Sequence, residues 1–224
     1  MNIPANLPLA LGLLLFAFAI SSLLVVPFID FLYKLNIVRQ KEAPKKGKVP
    51  LFDKLHDKKA GTPTGGGILL IAIVTLLFSA IFPLISYLGV FIELSHSLKY
   101  ELLIIFFTFI SFGLLGLSDD LIKIFGRARQ GALGMWIGMS RFQKFSLQWI
   151  LALIIAFTLY KFLGIQIVHI PFINKVIDMG LWYIPFAAFV IVFFTNAFNI
   201  TDGLDGLASG LLMIYLFAFW IIAA

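Results

Sequence analysis

Cysteine is absent from the 224 residues, which excludes disulfides and thiolate metal sites and leaves the redox compartment open. Charge is scarce as well. Asp, Glu, Lys and Arg make up 12% of the chain, against roughly 25% in soluble domains, while 61% is hydrophobic and the mean hydropathy is +1.04. A chain this poor in charge cannot cover a water-facing surface, so an ordinary soluble domain is excluded. Acidic residues are the scarcer sign, 11 against 17 basic ones, giving a net charge of +6. No basic stretch precedes the first apolar run, and that run, residues 7–28, exceeds a signal-peptide core of roughly 7–15 residues. It reads as a retained first helix. No internal repeat points to an inverted-topology transporter.

What the chain has instead is long apolar runs. Six of them, at about 7–32, 67–90, 102–122, 145–163, 181–198 and 207–224, are long enough to cross a hydrocarbon core of about 30 Å. They are continuously apolar rather than alternating, which favours helices over a barrel. The expected fold is therefore all-α, a polytopic membrane protein forming one transmembrane domain over residues 1–224. Residues 165–173 alternate enough for a short strand or hairpin.

The basic residues set the expected orientation. Lys34, Arg39, Lys41, Lys45, Lys46, Lys48, Lys54, Lys58 and Lys59 follow the first run; Lys123, Arg127, Arg129, Arg141 and Lys144 follow the third. The other side carries only Lys99, Lys161 and Lys175. By the positive-inside rule the two basic loops are cytoplasmic and the N-terminus is outside. Topology alone accounts for most of these lysines, although a basic face also attracts anionic lipid and phosphate. His96 and His169 fall on the outer side and read as bystanders. His56 reads as an ordinary loop residue.

This orientation gathers three polar clusters at one membrane face. Gly61-Thr-Pro-Thr-Gly-Gly-Gly67 opens the second run, Asp119-Asp120 closes the third, and Asn196, Asn199, Asp202 and Asp205 lie between the fifth and sixth. Carboxylates beside a bilayer are expensive and usually bind something. Adjacent ones can hold a divalent ion, and magnesium needs only one or two carboxylates when substrate phosphates complete its shell. The plainer account has Asp119 and Asp120 ending a helix in solvent, with Lys123 as a local partner, and one of Asp202 and Asp205 capping a helix N-terminus. Asn196 and Asn199 can each donate and accept, toward a carboxylate or a sugar hydroxyl. The glycine-rich stretch can turn its amides toward an anion, but it lacks the Gly-Lys-Ser/Thr ending of a P-loop. By itself it equally suits a tightly packed helix entry.

Taken together, Lys59-Ala-Gly-Thr-Pro-Thr-Gly-Gly-Gly-Ile68, Leu117-Ser-Asp-Asp-Leu-Ile-Lys123, Gly138-Met-Ser-Arg-Phe-Gln-Lys-Phe-Ser-Leu-Gln148 and the string Asn196 to Ala208 resemble the polyprenyl-phosphate N-acetylhexosamine-1-phosphate transferases (glycosyltransferase family 4). The likeness is greatest to members that use UDP-MurNAc-pentapeptide. It implies a magnesium-dependent phosphoglycosyl transfer in peptidoglycan synthesis. Undecaprenyl phosphate would attack the sugar-proximal phosphate of the UDP-sugar, UMP would leave, and lipid I would form. The resemblance makes Asp119 and Asp120 holders of the lipid phosphate and the Mg2+ ion, and puts Asp202 and Asn199 at the catalytic centre. It assigns Lys59, Thr62, Thr64, Asn196, Gly203, Leu204 and Asp205 to substrate binding. It also implies a multi-pass protein of a bacterial inner membrane with a cytoplasmic site, and suggests a homodimer.

Two departures stand out. Gly65 stands where members usually carry Met. The family also has about ten helices of membrane-spanning length, with a further magnesium-binding Asp and a His-rich motif that this chain does not contain. The expectation is an N-terminal part of such a transferase, inactive or badly impaired alone. Two other readings remain. One is a sister enzyme transferring N-acetylglucosamine-1-phosphate from UDP-N-acetylglucosamine; the other is a non-enzymatic transporter, which would place ionisable residues near span centres.

Overall fold

The computed structural model describes residues 7–38, 61–87, 97–125, 139–170, 173–202 and 206–223. Within them the chain is all-α apart from one small hairpin. Its helices are α1 (Leu7–Lys34), α2 (Gly67–Tyr87), α3 (Leu98–Phe125), α4 (Arg141–Leu163), α5 (Tyr183–Thr201) and α6 (Leu207–Ala223). Strands β1 (Ile167–Ile170) and β2 (Lys175–Asp178) pair antiparallel between α4 and α5, where the alternating residues 165–173 point to a strand. Asn174 supplies the turn with φ of 46°, and His169 Nε2 lies 3.1 Å from Asn174 Oδ1, so His169 serves the hairpin.

Four stretches, Leu11–Lys34, Leu98–Ile122, Phe142–Leu163 and Gly180–Thr201, are long and apolar enough to cross a membrane; Gly67–Ile81 and Leu207–Ile221 are shorter apolar helices. Their outer faces carry exposed apolar side chains such as Leu23, Phe18 and Leu76. Lipid tails are the solvent such surfaces suit, and the chain is a membrane protein. Hydroxyls inside the helices return to their own backbones, as Thr158 Oγ1 does to the Ile154 carbonyl at 2.7 Å and Thr195 Oγ1 to that of Ile191 at 2.7 Å.

The chain divides into two compact units. One comprises Met1–Leu15, His96–Ile104 and Gln148–Ala224, the other Phe16–Ser95 and Ile105–Leu147. In the first, the core is small-residue packing between α4 and α5: Ala152 and Ala156 cluster with Ala187, Ala188 and Val192, flanked by Trp149 and Tyr183. Tyr100 stacks on Phe162 with ring centroids 4.7 Å apart.

In the second unit, α2 and α3 meet through Phe78 edge-on to Phe106 at 5.3 Å, and through Gly113 set against the Ile71 side chain. A Cβ at position 113 would collide with Ile71 Cδ1, the far end of a side chain that can turn. Gly113→Ala is therefore expected to cost little, whereas Gly113→Leu should destabilise by on the order of 1–3 kcal/mol through overpacking. Thermal unfolding in detergent would separate the two; equal melting temperatures would mean that α2 and α3 do not pack through this glycine.

Candidate functional site

Asp119 and Asp120 lie within α3, which continues to Phe125. They do not end the helix in solvent, as the plainer account of the sequence has it, because Leu121, Ile122 and Ile124 carry the apolar pattern onward. Asp119 is only 7% exposed. Its Oδ1 accepts the Met139 N–H at 3.1 Å, and its Oδ2 lies 3.5 Å from Lys144 Nζ. Asp120, one residue on, is half-buried. Neighbouring positions on a helix point about 100° apart, so the two carboxylates have different surroundings.

The partner of Asp119 comes from α4, whose start is set locally. Ser140 Oγ accepts the Gln143 N–H at 3.2 Å and Gln143 Oε1 accepts the Ser140 N–H at 3.1 Å, a reciprocal cap of the first turn. That cap leaves the Met139 N–H directed at Asp119, and Ser118 Oγ lies 3.5 Å from Met139 Sδ. Lys144 thus sits in the first turn of α4, where the helix dipole disfavours a cation; the buried carboxylate of Asp119 offsets this. Beside the pair, Ile122, Met139, Phe142, Gln143, Ser146 and Leu147 line an open depression of about 430 Å³, apolar over most of its wall.

The glycine-rich stretch docks on the end of α1. Thr64 N–H donates to the Ile37 carbonyl at 3.1 Å, and Val38 bridges to Pro63. Gly61 and Gly65 take φ of +88° and +91°, a conformation that a side chain opposes. A side chain such as Met at position 65 would be strained in this backbone. Thr64 Oγ1 is buried and, among the described residues, has no hydrogen-bond partner. A buried hydroxyl left this way asks for a ligand, a water or a neighbouring group. Thr62 is exposed.

In the other unit, Asn196 is half-buried on α5 and its Nδ2 donates to Gln148 Oε1 on α4. Asn199 follows one turn later and is exposed. Asp202 is the C-cap of α5, with φ −75° and ψ 47°, and its N–H donates to the Phe198 carbonyl at 3.1 Å. An N-terminal capping role for Asp202 is thereby excluded: its carboxylate stands at the negative end of the helix. Lys59, His56, Lys58, Gly203, Leu204, Asp205 and His96 lie outside the described residues. The sequence reading passed over Lys144 and Gln148 as site residues. Their signal was present, as two polar residues four apart at the start of an apolar helix.

Every candidate metal ligand here is oxygen. Oxygen ligands suit a hard cation such as magnesium, which can keep most of its shell as water and substrate phosphate; among the described residues no three His, Cys, Asp or Glu side chains gather. Asp119 faces an N–H and an ammonium, and Asp120 stands half-buried one residue on.

These features define a helical membrane protein with carboxylates and amides held at helix ends. Residues 102–224 match Glycosyl transferase family 4, and the chain belongs to that family of phosphoglycosyl transferases. It is 38% identical over 157 residues to the phospho-N-acetylmuramoyl-pentapeptide-transferase of Thermoanaerobacter sp. (strain X514), covering 70% of this chain and 43% of that relative. Proteins of the same name in Clostridium perfringens (strain 13 / Type A) and Clostridium botulinum (strain Alaska E43 / Type E3) are 36% and 32% identical, covering 86% and 96% of this chain and 52% and 58% of theirs. The chain spans about half the length of the curated relatives it matches.

Proposed function

We propose that this chain takes part in transferring phospho-N-acetylmuramoyl-pentapeptide from its UDP derivative to undecaprenyl phosphate. The observation that carries this reading is that all three polar clusters fall within stretches similar to transferases of that name, the longest similarity covering 96% of the chain. In the reaction an oxygen of the lipid phosphate attacks the sugar-proximal phosphorus. A new P–O–P linkage forms, the bond to UMP breaks, and UMP leaves with the bonding electrons.

The residues divide this work. Asp119 and Asp120 take the lipid phosphate and the magnesium ion, which when bound supplies positive charge against the phosphates. Asp119 positions Lys144, whose ammonium is a second, fixed positive charge. Asp202 and Asn199 act at the reacting phosphate. Thr64, with Lys59, Thr62, Gly203, Leu204 and Asp205, holds the nucleotide sugar. The apolar depression beside Asp119 suits the first isoprene units of the lipid. The site faces the cytoplasm of a bacterium, on the strength of the lysine and arginine distribution.

The full gene product, in nanodiscs, should release UMP from UDP-MurNAc-pentapeptide only when polyprenyl phosphate and magnesium are both present. Release from UDP-N-acetylglucosamine instead would move the protein to the sister class. No release from either donor would overturn the enzymatic reading.

A further inference from the structure

The amide of Asn196 has two N–H groups, and both are committed. One donates to the Val192 carbonyl at 2.8 Å within α5, the other to Gln148 Oε1 at 2.9 Å on α4. A backbone carbonyl only accepts, so the atom facing Val192 must be the amide nitrogen. That requirement passes along the pair, because Gln148 must then turn its oxygen toward the same nitrogen. Gln148 is 2% exposed, the largest fully buried side chain among the described residues.

The packing explains why the two meet. On α4, Gln148, Ala152 and Ala156 form one row at four-residue spacing; on α5, Ala188, Val192 and Asn196 form another. The apolar members cluster in the core, and the two amides close it at one end. A glutamine so deeply buried in an apolar helix is expensive unless its bonds are met, and the row delivers Asn196 to meet one.

From this geometry we infer that Gln148 is a positioning residue for substrate recognition. It holds Asn196 so that the carbonyl oxygen Oδ1 is the polar atom left to offer. Asn196 therefore recognises a hydrogen-bond donor of the sugar nucleotide, a hydroxyl or an imide N–H, and not a phosphate oxygen or a carboxylate. The sequence allowed Asn196 to donate or accept; the structure leaves it accepting. This inference rests on the nucleotide-sugar reading above.

The test is a double-mutant cycle on UMP release by the full gene product in nanodiscs, with the UDP-sugar concentration varied. Gln148→Met keeps the length of the side chain and removes the acceptor. It should raise KM for the UDP-sugar about five- to ten-fold, the worth of one net hydrogen bond, with kcat changed less than about three-fold, as lost ground-state binding requires. Asn196→Ala should do the same, and the double variant should be no worse than Asn196→Ala alone. Additive losses, or a fall in kcat at unchanged KM, would show a plain interhelical clamp and overturn the inference. If Q148M does not fold, Asn196→Ala carries the test by itself: KM should rise about five- to ten-fold, and a fall in kcat at unchanged KM overturns the inference. Failure of the functional reading looks different: wild type itself releases no UMP, and both ideas fall together.

Discussion

Asp202→Asn and Asp120→Asn should each lower UMP release by roughly 10²–10⁴-fold, the range for loss of a positioned acid–base or charge-stabilising group. For Asp202 the structure adds a second expectation. Its carboxylate stands at the C-terminal end of α5, where the helix dipole opposes negative charge by about 0.3–1 kcal/mol. Neutralising it should leave the melting temperature unchanged or raise it slightly. Activity lost while stability holds or rises is the pattern of a residue kept for chemistry at some cost to the fold. Steady-state UMP release beside thermal unfolding would show it. Turnover near wild type in both variants would remove Asp120 and Asp202 from the site.

Lys144→Met should destabilise the protein by on the order of 1–3 kcal/mol, because it removes the cation facing a buried carboxylate that keeps the Met139 N–H. The Lys144 side chain is 28% exposed and that of Asp119 10%, so little solvent screens the pair. Asp119→Asn is expected to be milder, since an amide oxygen can still accept the Met139 N–H. The sharper prediction is that Asp119→Asn rescues Lys144→Met: the double variant should melt above K144M alone. Strict additivity would mean that the contact between Lys144 and Asp119 contributes nothing to stability.

The helices were readable because continuous apolar runs leave few alternatives, and the hairpin because residues 165–173 alternate. The end of α3 was not. Asp119 and Asp120 interrupt the hydropathy, and a sequence reading stops there; the helix runs to Phe125, with the Met139 N–H and Lys144 of α4 taking up the charge of Asp119. The difference in burial between the two carboxylates was equally hidden, since adjacent letters say nothing about which one turns inward. Asp202 was recognised as unusual, but whether it begins or ends a helix depends on where α5 stops. Gln148 illustrates the limit most clearly. Its own position gives no hint of Asn196, 48 residues on, until the rows of small residues on α4 and α5 are matched.

Those matched rows also govern how the gene can change in length. One residue inserted within α4 between Gln148 and Ala156, or within α5 between Ala188 and Asn196, would rotate everything beyond it by about 100° and part the two amides. The same insertion in the hairpin turn near Asn174 falls outside both rows and leaves their matching to the core. Along this stretch of sequence, drift in length belongs to the hairpin turn, while the two helices keep count.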